Sequence, residues 1–268
     1  MTETTIFAKD LVKQFKTDKG FVNAVNHLTL EVGRGETYGL IGPDGAGKTT
    51  TTRVILGILT RTAGESSVMG FDSMRDMYQI RERVGYIAQQ FSLPSKLTVM
   101  ENMRFFADTQ SVSPELQKKR IPELLEFAGL KDYTNRLAGN LSGGMKKKLA
   151  LACSLIHEPQ VLLLDEPLAS LDTRLKSELR GLLRKLNRSG QTIIHVTHDY
   201  EEAISLGNTI AVIHNGEILQ TGSPTEVFSH PKSEFVAHFT GAKNFFKATF
   251  PDTYDQALIN NRIIVKLA

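Results

Sequence analysis

Eight residues, Gly42–Thr49, read Gly-Pro-Asp-Gly-Ala-Gly-Lys-Thr, the spacing G-x-x-x-x-G-K-[ST] of a phosphate-binding loop. Glycines there let backbone N–H groups turn inward around a polyphosphate, and a following helix adds the positive end of its dipole. Lys48 is then placed to reach the β- and γ-phosphates, and the Thr49 hydroxyl to ligate Mg²⁺. Kinases, GTPases, helicases and transport motors all use such a loop, so what the binding drives has to be read elsewhere. A second group lies about a hundred residues downstream. Leu141-Ser142-Gly143-Gly144-Met145 opens an apolar-periodic helix, with Ser142 suited as N-cap and two glycines leaving N–H groups open to an anion. Val161-Leu162-Leu163-Leu164-Asp165-Glu166-Pro167 is an aliphatic strand that ends in adjacent carboxylates. Ser170-Leu171-Asp172 follows, and His198-Asp199 closes another apolar strand, 192–197.

Strands and helices must alternate to position these groups. Residues 36–41 read as a buried strand ahead of the loop, and 49–59 as the helix behind it. Short β-rich segments, 4–8 and 23–32, fill the start of the chain, and 84–88 is another strand, ending at Gln89. Between 97 and 157 the pattern is helical over 98–107, 114–120, 123–128 and 143–157. Pro122 is expected to break the middle stretch and to serve as the first residue of its second half. Alternation returns from 161 to 221, so the fold class is α/β. No internal repeat or low-complexity tract interrupts it.

Composition adds limits. With 268 residues the chain can bury one large domain, or one domain and a tail. A net charge of +3 is too mild to imply nucleic acid. The single cysteine, Cys153, lies in an apolar helix; it reads as a small core residue in a reducing compartment. No run approaches eighteen apolar residues, and the N-terminus lacks the regions of a signal peptide. The expectation is a protein that neither crosses a membrane nor is exported; if it powers transport, another chain supplies the channel.

Taken in order, these motifs closely resemble the ATP-binding cassette (ABC) family over about residues 5 to 235. The resemblance implies a P-loop NTPase core with an antiparallel β subdomain and an inserted α-helical subdomain at about 90–157. It gives an ATPase domain at 1–235 and a short tail at 236–268. It implies ATP and Mg²⁺ as cofactors, with Gly42, Pro43, Asp44, Gly45, Ala46, Gly47, Lys48, Thr49 and Thr50 around the nucleotide. Thr49, Gln89 and Asp165 are the expected metal-site residues, and Glu166 is the expected general base, polarising the attacking water. His198 contacts the γ-phosphate by resemblance, and Gln89, rather than Gln90, matches the family's glutamine. Phe15 either stacks on adenine, where a tyrosine is more usual, or is a core residue. Ser142, Gly143 and Gly144 cap the phosphate held by a second copy across a two-fold interface, which Asp172 shares. Met145 stands where glutamine is commoner, which removes one polar contact to the nucleotide. Lys146, Lys147 and Lys148 read as a solvated helix face.

The resemblance implies two partners, a transmembrane transporter subunit and a second cassette, and a peripheral place on the cytoplasmic face of the membrane. Direction divides the chain. Through Pro167 it looks like exporter motors: the loop itself, Gln90-Phe91-Ser92-Leu93, Leu97 to Asn102, and Leu149 to Cys153. From Leu168 it looks like importer motors for oxyanions and similar solutes: Leu168 to Asp172, His198 to Ala203, Gly222 to Phe228, Phe235 to Ala237, and Gly241 to Phe246. In importers such a tail leads into a β-rich regulatory domain, for which 236–268 is too short. The surface that docks the membrane subunit falls on the exporter-like half, and the reading leans to export, with import as the alternative. A non-transport cassette ATPase would carry a second cassette or a coiled-coil insert. A kinase or GTPase would leave Leu141 to Gly144 unexplained.

Overall fold

The structure, a computed structural model, describes residues 3–18 and 20–241 with their side chains, and the backbone alone of 248–249, 256–259 and 263–266. Strands β1 (Thr4–Thr17) and β2 (Gly20–Gly33) form a long antiparallel hairpin. They outrun the expected 4–8 and 23–32 because their outer half is exposed. Ladder hydrogen bonds hold it without a buried face, and hydrophobic patterning cannot register that. Next come β3 (Thr37–Ile41), α1 (Lys48–Ile55), β4 (Ala63–Val68), β5 (Phe71–Asp72), α2 (Met77–Arg83) and β6 (Val84–Ile87). The order β2-β1-β4-β5 makes an antiparallel sheet.

The helical insert holds α3 (Val99–Thr109), α4 (Pro114–Phe127) and α5 (Gly143–Ser154). A reciprocal Thr98–Glu101 capping box starts α3. The buried Asn102 amide donates to the carbonyls of Pro94, Leu97 and Thr98, fixing the turn before the helix. Pro122 does not break α4, contrary to expectation; the helix runs straight through it. An interior proline costs about 3 kcal/mol. Ile121, Leu124 and Leu125 are buried on the same helix, each contributing roughly 1.5–3 kcal/mol, so burial outweighs the lost hydrogen bond.

The chain then runs through β7 (Val161–Asp165), α6 (Thr173–Arg188), β8 (Thr192–Thr197), α7 (Tyr200–Leu206), β9 (Thr209–His214), β10 (Glu217–Gly222), α8 (Pro224–Ser229) and α9 (Glu234–Phe239). A six-stranded sheet in the order β10-β9-β3-β8-β7-β6 is parallel except for β10. Strands β3, β7 and β8 are buried at every position, as expected of strands covered on both faces. On β7, Leu162 and Leu164 pack into the helical layer, while Val161 and Leu163 pack with α1 and the antiparallel sheet. Cys153 is buried beside Met103, and burial pushes its thiol pKa far up. Val236 of α9 shares a cluster with Ile41, Ile210 and Val212. Backbone strands β11 (Ala248–Thr249), β12 (Gln256–Ile259) and β13 (Ile263–Lys266) form a small antiparallel sheet. The importer-like cue at 242–246 lies outside the described residues.

Candidate nucleotide site

Four neighbouring parallel strands deliver the site from their C-terminal ends: β6 leads to Gln89, β7 to Asp165 and Glu166, β8 to His198, and β3 to the phosphate loop. Ligands of open α/β sheets bind at this edge, where loops converge and helices begin. A pocket of about 330 Å³ is lined here by Ala24, Asp44, Gly45, Gly47, Lys48, Thr49, Thr50, Gln89 and Glu166.

The loop is braced from below. Gly216, in the β9–β10 turn, donates its N–H to the Ala46 carbonyl, and Asn26 of β2 donates to the Gly216 carbonyl. Gly47, at φ 102, caps α1 so close to β2 that a Cβ would lie 2.2 Å from the Ala24 carbonyl oxygen. The Lys48 ammonium is buried and donates to the carbonyls of Gly42 (2.7 Å) and Pro43 (2.9 Å). Burial lowers its pKa, and Glu166, Asp44 and Asp165 oppose that effect.

Two adjacent carboxylates leave β7 in different directions. Asp165 accepts from the Thr49 hydroxyl at 2.9 Å; burial raises its pKa, and the Thr49 hydrogen bond counters this. Glu166 sits at φ 53, an uncommon conformation for a non-glycine residue that costs about 1–3 kcal/mol. It therefore has to be held by its surroundings. Its N–H donates to Val196, and its carbonyl accepts from Ala169 (3.2 Å) and from the Lys147 ammonium (3.0 Å). The turn aims its buried carboxylate at His198, whose Nδ1 is 2.9 Å away. A carboxylate only accepts, so Nδ1 carries the proton there. His198 is half exposed.

Asp44, Glu166 and His198 also lie close enough together to hold a cation. The Lys48 ammonium, 4.0 Å from both Asp44 and Glu166, already supplies positive charge there. The adjoining oxygens of Thr49 and Asp165 suit a hard, oxygen-seeking ion such as Mg²⁺ better.

A partly buried ionic network lies behind the site. Lys176, one turn after Asp172 on α6, reaches Glu202 at 2.9 Å and Asp199 at 3.1 Å. Glu202 also accepts from Thr197 and faces His195 at 3.5 Å. Burial would raise the Glu202 pKa, but the His195 ring beside it and the Lys176 and Thr197 contacts outweigh it and hold it down at about 2.

Ser142, Gly143 and Asp172 stand elsewhere. Ser142 caps α5 and Asp172 caps α6, each accepting an N–H from its own first turn. The two helix starts abut where a Cβ on Gly144 would meet Leu175 at 2.5 Å. Among the described residues, no hydrogen bond or ion pair joins Ser142, Gly143, Gly144 or Asp172 to the phosphate loop. Phe15 does not line the pocket. It is 40% exposed on β1, with the Lys13 ammonium 5.0 Å from its ring centroid, and so is no core residue. The lysines after Met145 are not a free solvated face, because Lys147 bonds Glu166 and Lys148 pairs with Glu178. Nothing local marks that difference in the sequence, nor does any signal mark Ala24 as a pocket wall.

The family model described as ABC transporter matches residues 25–169, more than half of the chain. The chain belongs to that family. A probable sulfate/thiosulfate import ATP-binding protein of Chlorella vulgaris is 38% identical over 89% of this chain and 100% of its own length. A spermidine/putrescine import ATP-binding protein of Clostridium novyi is 36% identical over 91% of this chain and 69% of its own. Among solved structures, a dimeric ATP-binding cassette in a post-hydrolysis state bound to ADP and Pi is similar, with a TM-score of 0.74. It is 29% identical and covers 82% of this chain and 98% of its own. The cassette is thus a transport-coupled ATPase built on the P-loop NTPase fold. Its relatives favour the import alternative over the lean to export. They match both the exporter-like and the importer-like halves, and their names are those of import proteins. Among the described residues, no helix is long and apolar enough to cross a membrane.

Proposed function

We propose that this cassette drives import of a small charged solute through a separate membrane subunit, working as a head-to-tail pair. The observation that carries the pairing is the separation of Ser142, Gly143 and Asp172 from the phosphate loop of the same chain. Two exposed helix N-termini there suit an anion, and a second copy's triphosphate fits them. In this reading Lys48, Gly42–Gly47 and Thr50 hold the phosphates, with Phe15 at the adenine rim. Thr49, Asp165 and Gln89 hold Mg²⁺, which neutralises phosphate charge when bound. Glu166 takes a proton from water, and His198 holds that carboxylate in place while offering its ring to the γ-phosphate.

The ATPase body extends through α9, past residue 235, since Val236 packs into its core, with Phe235 and Phe239 against the same cluster. The protein sits peripherally on the cytoplasmic face. Relatives named for sulfate and for spermidine are nearly equally identical to this chain, although their solutes differ in sign. Solute choice accordingly belongs to the membrane subunit. The test reconstitutes the cassette with the membrane subunit encoded beside it in vesicles loaded with ATP, the cassettes facing inward. Labelled sulfate, thiosulfate, spermidine and putrescine are offered outside. ATP-dependent accumulation of one of them supports import, and ATP-dependent extrusion of internal solute overturns it.

A further inference from the structure

Lys147 belongs to the helix that Ser142 caps, yet its ammonium lies 3.0 Å from the backbone carbonyl of Glu166, the residue that follows β7. The contact is specific. Glu166 holds a left-handed backbone conformation at φ 53, its N–H is tied to Val196, and its carbonyl takes both Lys147 and Ala169. The carbonyl can leave this arrangement only by breaking a bond to a half-buried ammonium, and it orients the carboxylate that meets His198. Two acidic residues face Lys147 from other elements: Glu166 at the end of β7 and Glu202 on α7. Burial lowers the ammonium's pKa, and these two carboxylates oppose that effect.

We infer that Lys147 is a positioning residue that clamps the Glu166 backbone and ties the aim of this general base to the place of α5. The inference rests on Glu166 being the base. In the paired assembly, α5 would carry at its start the groups that meet one nucleotide, and one and a half turns later the ammonium that sets the base for the other. Seating of a triphosphate on Ser142 and Gly143 of one copy then bears on Glu166 of that same copy, which serves its own loop. The two sites share a rigid lever of about six residues.

The test uses the full chain with Mg-ATP. Lys147→Met keeps the apolar stem and removes the donor; its kcat should fall about tenfold or more, with the Kd for ATP within about twofold of wild type. Lys147→Arg, which keeps charge and donors, should return kcat to within about threefold of wild type. Wild-type kcat in Lys147→Met, or a fall in kcat matched by an equal loss of ATP affinity, overturns the proposal. If Lys147→Met and a second variant, Lys147→Gln, both fail to bind ATP, Lys147 is structural and the proposal also falls. Glu166→Gln is measured alongside. Full turnover in that variant refutes the base assignment itself, whereas collapse there with normal turnover in Lys147→Met refutes only the clamp.

Discussion

Replacing Gly47 by alanine tests how the phosphate loop is seated. At φ 102 an L residue is strained beyond ordinary left-handed values, which cost roughly 1–2 kcal/mol. The new Cβ would lie 2.2 Å from the Ala24 carbonyl oxygen, whereas carbon–oxygen contacts settle near 3.3 Å. About 1 Å of movement between the loop and β2 is therefore needed. The Ala24 carbonyl is backbone, on a strand braced through Asn26 and Gly216, and overpacking of this kind costs about 1–3 kcal/mol. Together these come to about 2–5 kcal/mol, a fall of roughly 4–20 °C in melting midpoint for a body of this size. Gly45→Ala separates the two causes. Its φ is 80, but no protein atom lies within 4 Å of the new Cβ. It should cost only the conformational term, about 1–2 kcal/mol or roughly 2–8 °C. Displacing Lys48 by about 1 Å should also slow ATP turnover in Gly47→Ala by about a hundredfold. Circular-dichroism melts and phosphate-release assays on both variants decide the matter. A Gly47→Ala melt within 2 °C of wild type, or no lower than Gly45→Ala, refutes the close approach to Ala24.

Three further outcomes are expected. Glu166→Gln should bind ATP and accumulate as a dimer on gel filtration while turnover drops by orders of magnitude; an unpaired variant with normal turnover contradicts the assigned role. Ser142→Arg should leave ATP binding at low protein concentration unchanged and abolish the dimer and its ATPase activity, measured by light scattering and phosphate release. The Glu202 pKa, depressed from 4.5 to about 2, means that its stabilisation is complete above pH 4.5 and lost as pH falls through 2. That is roughly 3 kcal/mol across this window, so acid melts of Glu202→Gln should show a shallower decline there than wild type. Parallel declines would show that the network carries no such linkage.

The motifs for chemistry were legible because each is local. A glycine loop between strand and helix, an aliphatic run ending in Asp165-Glu166, and a capped Ser142 helix are all set by neighbours within a few residues. The α/β alternation was legible for the same reason, since buried parallel strands read as unbroken apolar runs.

What only the tertiary structure decided depends on partners far apart in the chain. Pro122 signals a break, but the packing of Ile121, Leu124 and Leu125 overrides it. The outer β1–β2 hairpin is held by its ladder rather than by a buried face. Ala24 has no chemistry to advertise, and it becomes a pocket wall because β2 passes beneath Gly47. Lys147 looks like one of three surface lysines until Glu166, nineteen residues on, is folded against it. Local sequence determines which groups can react. Contacts between distant segments determine where those groups point, because orientation costs free energy that only packing can offset.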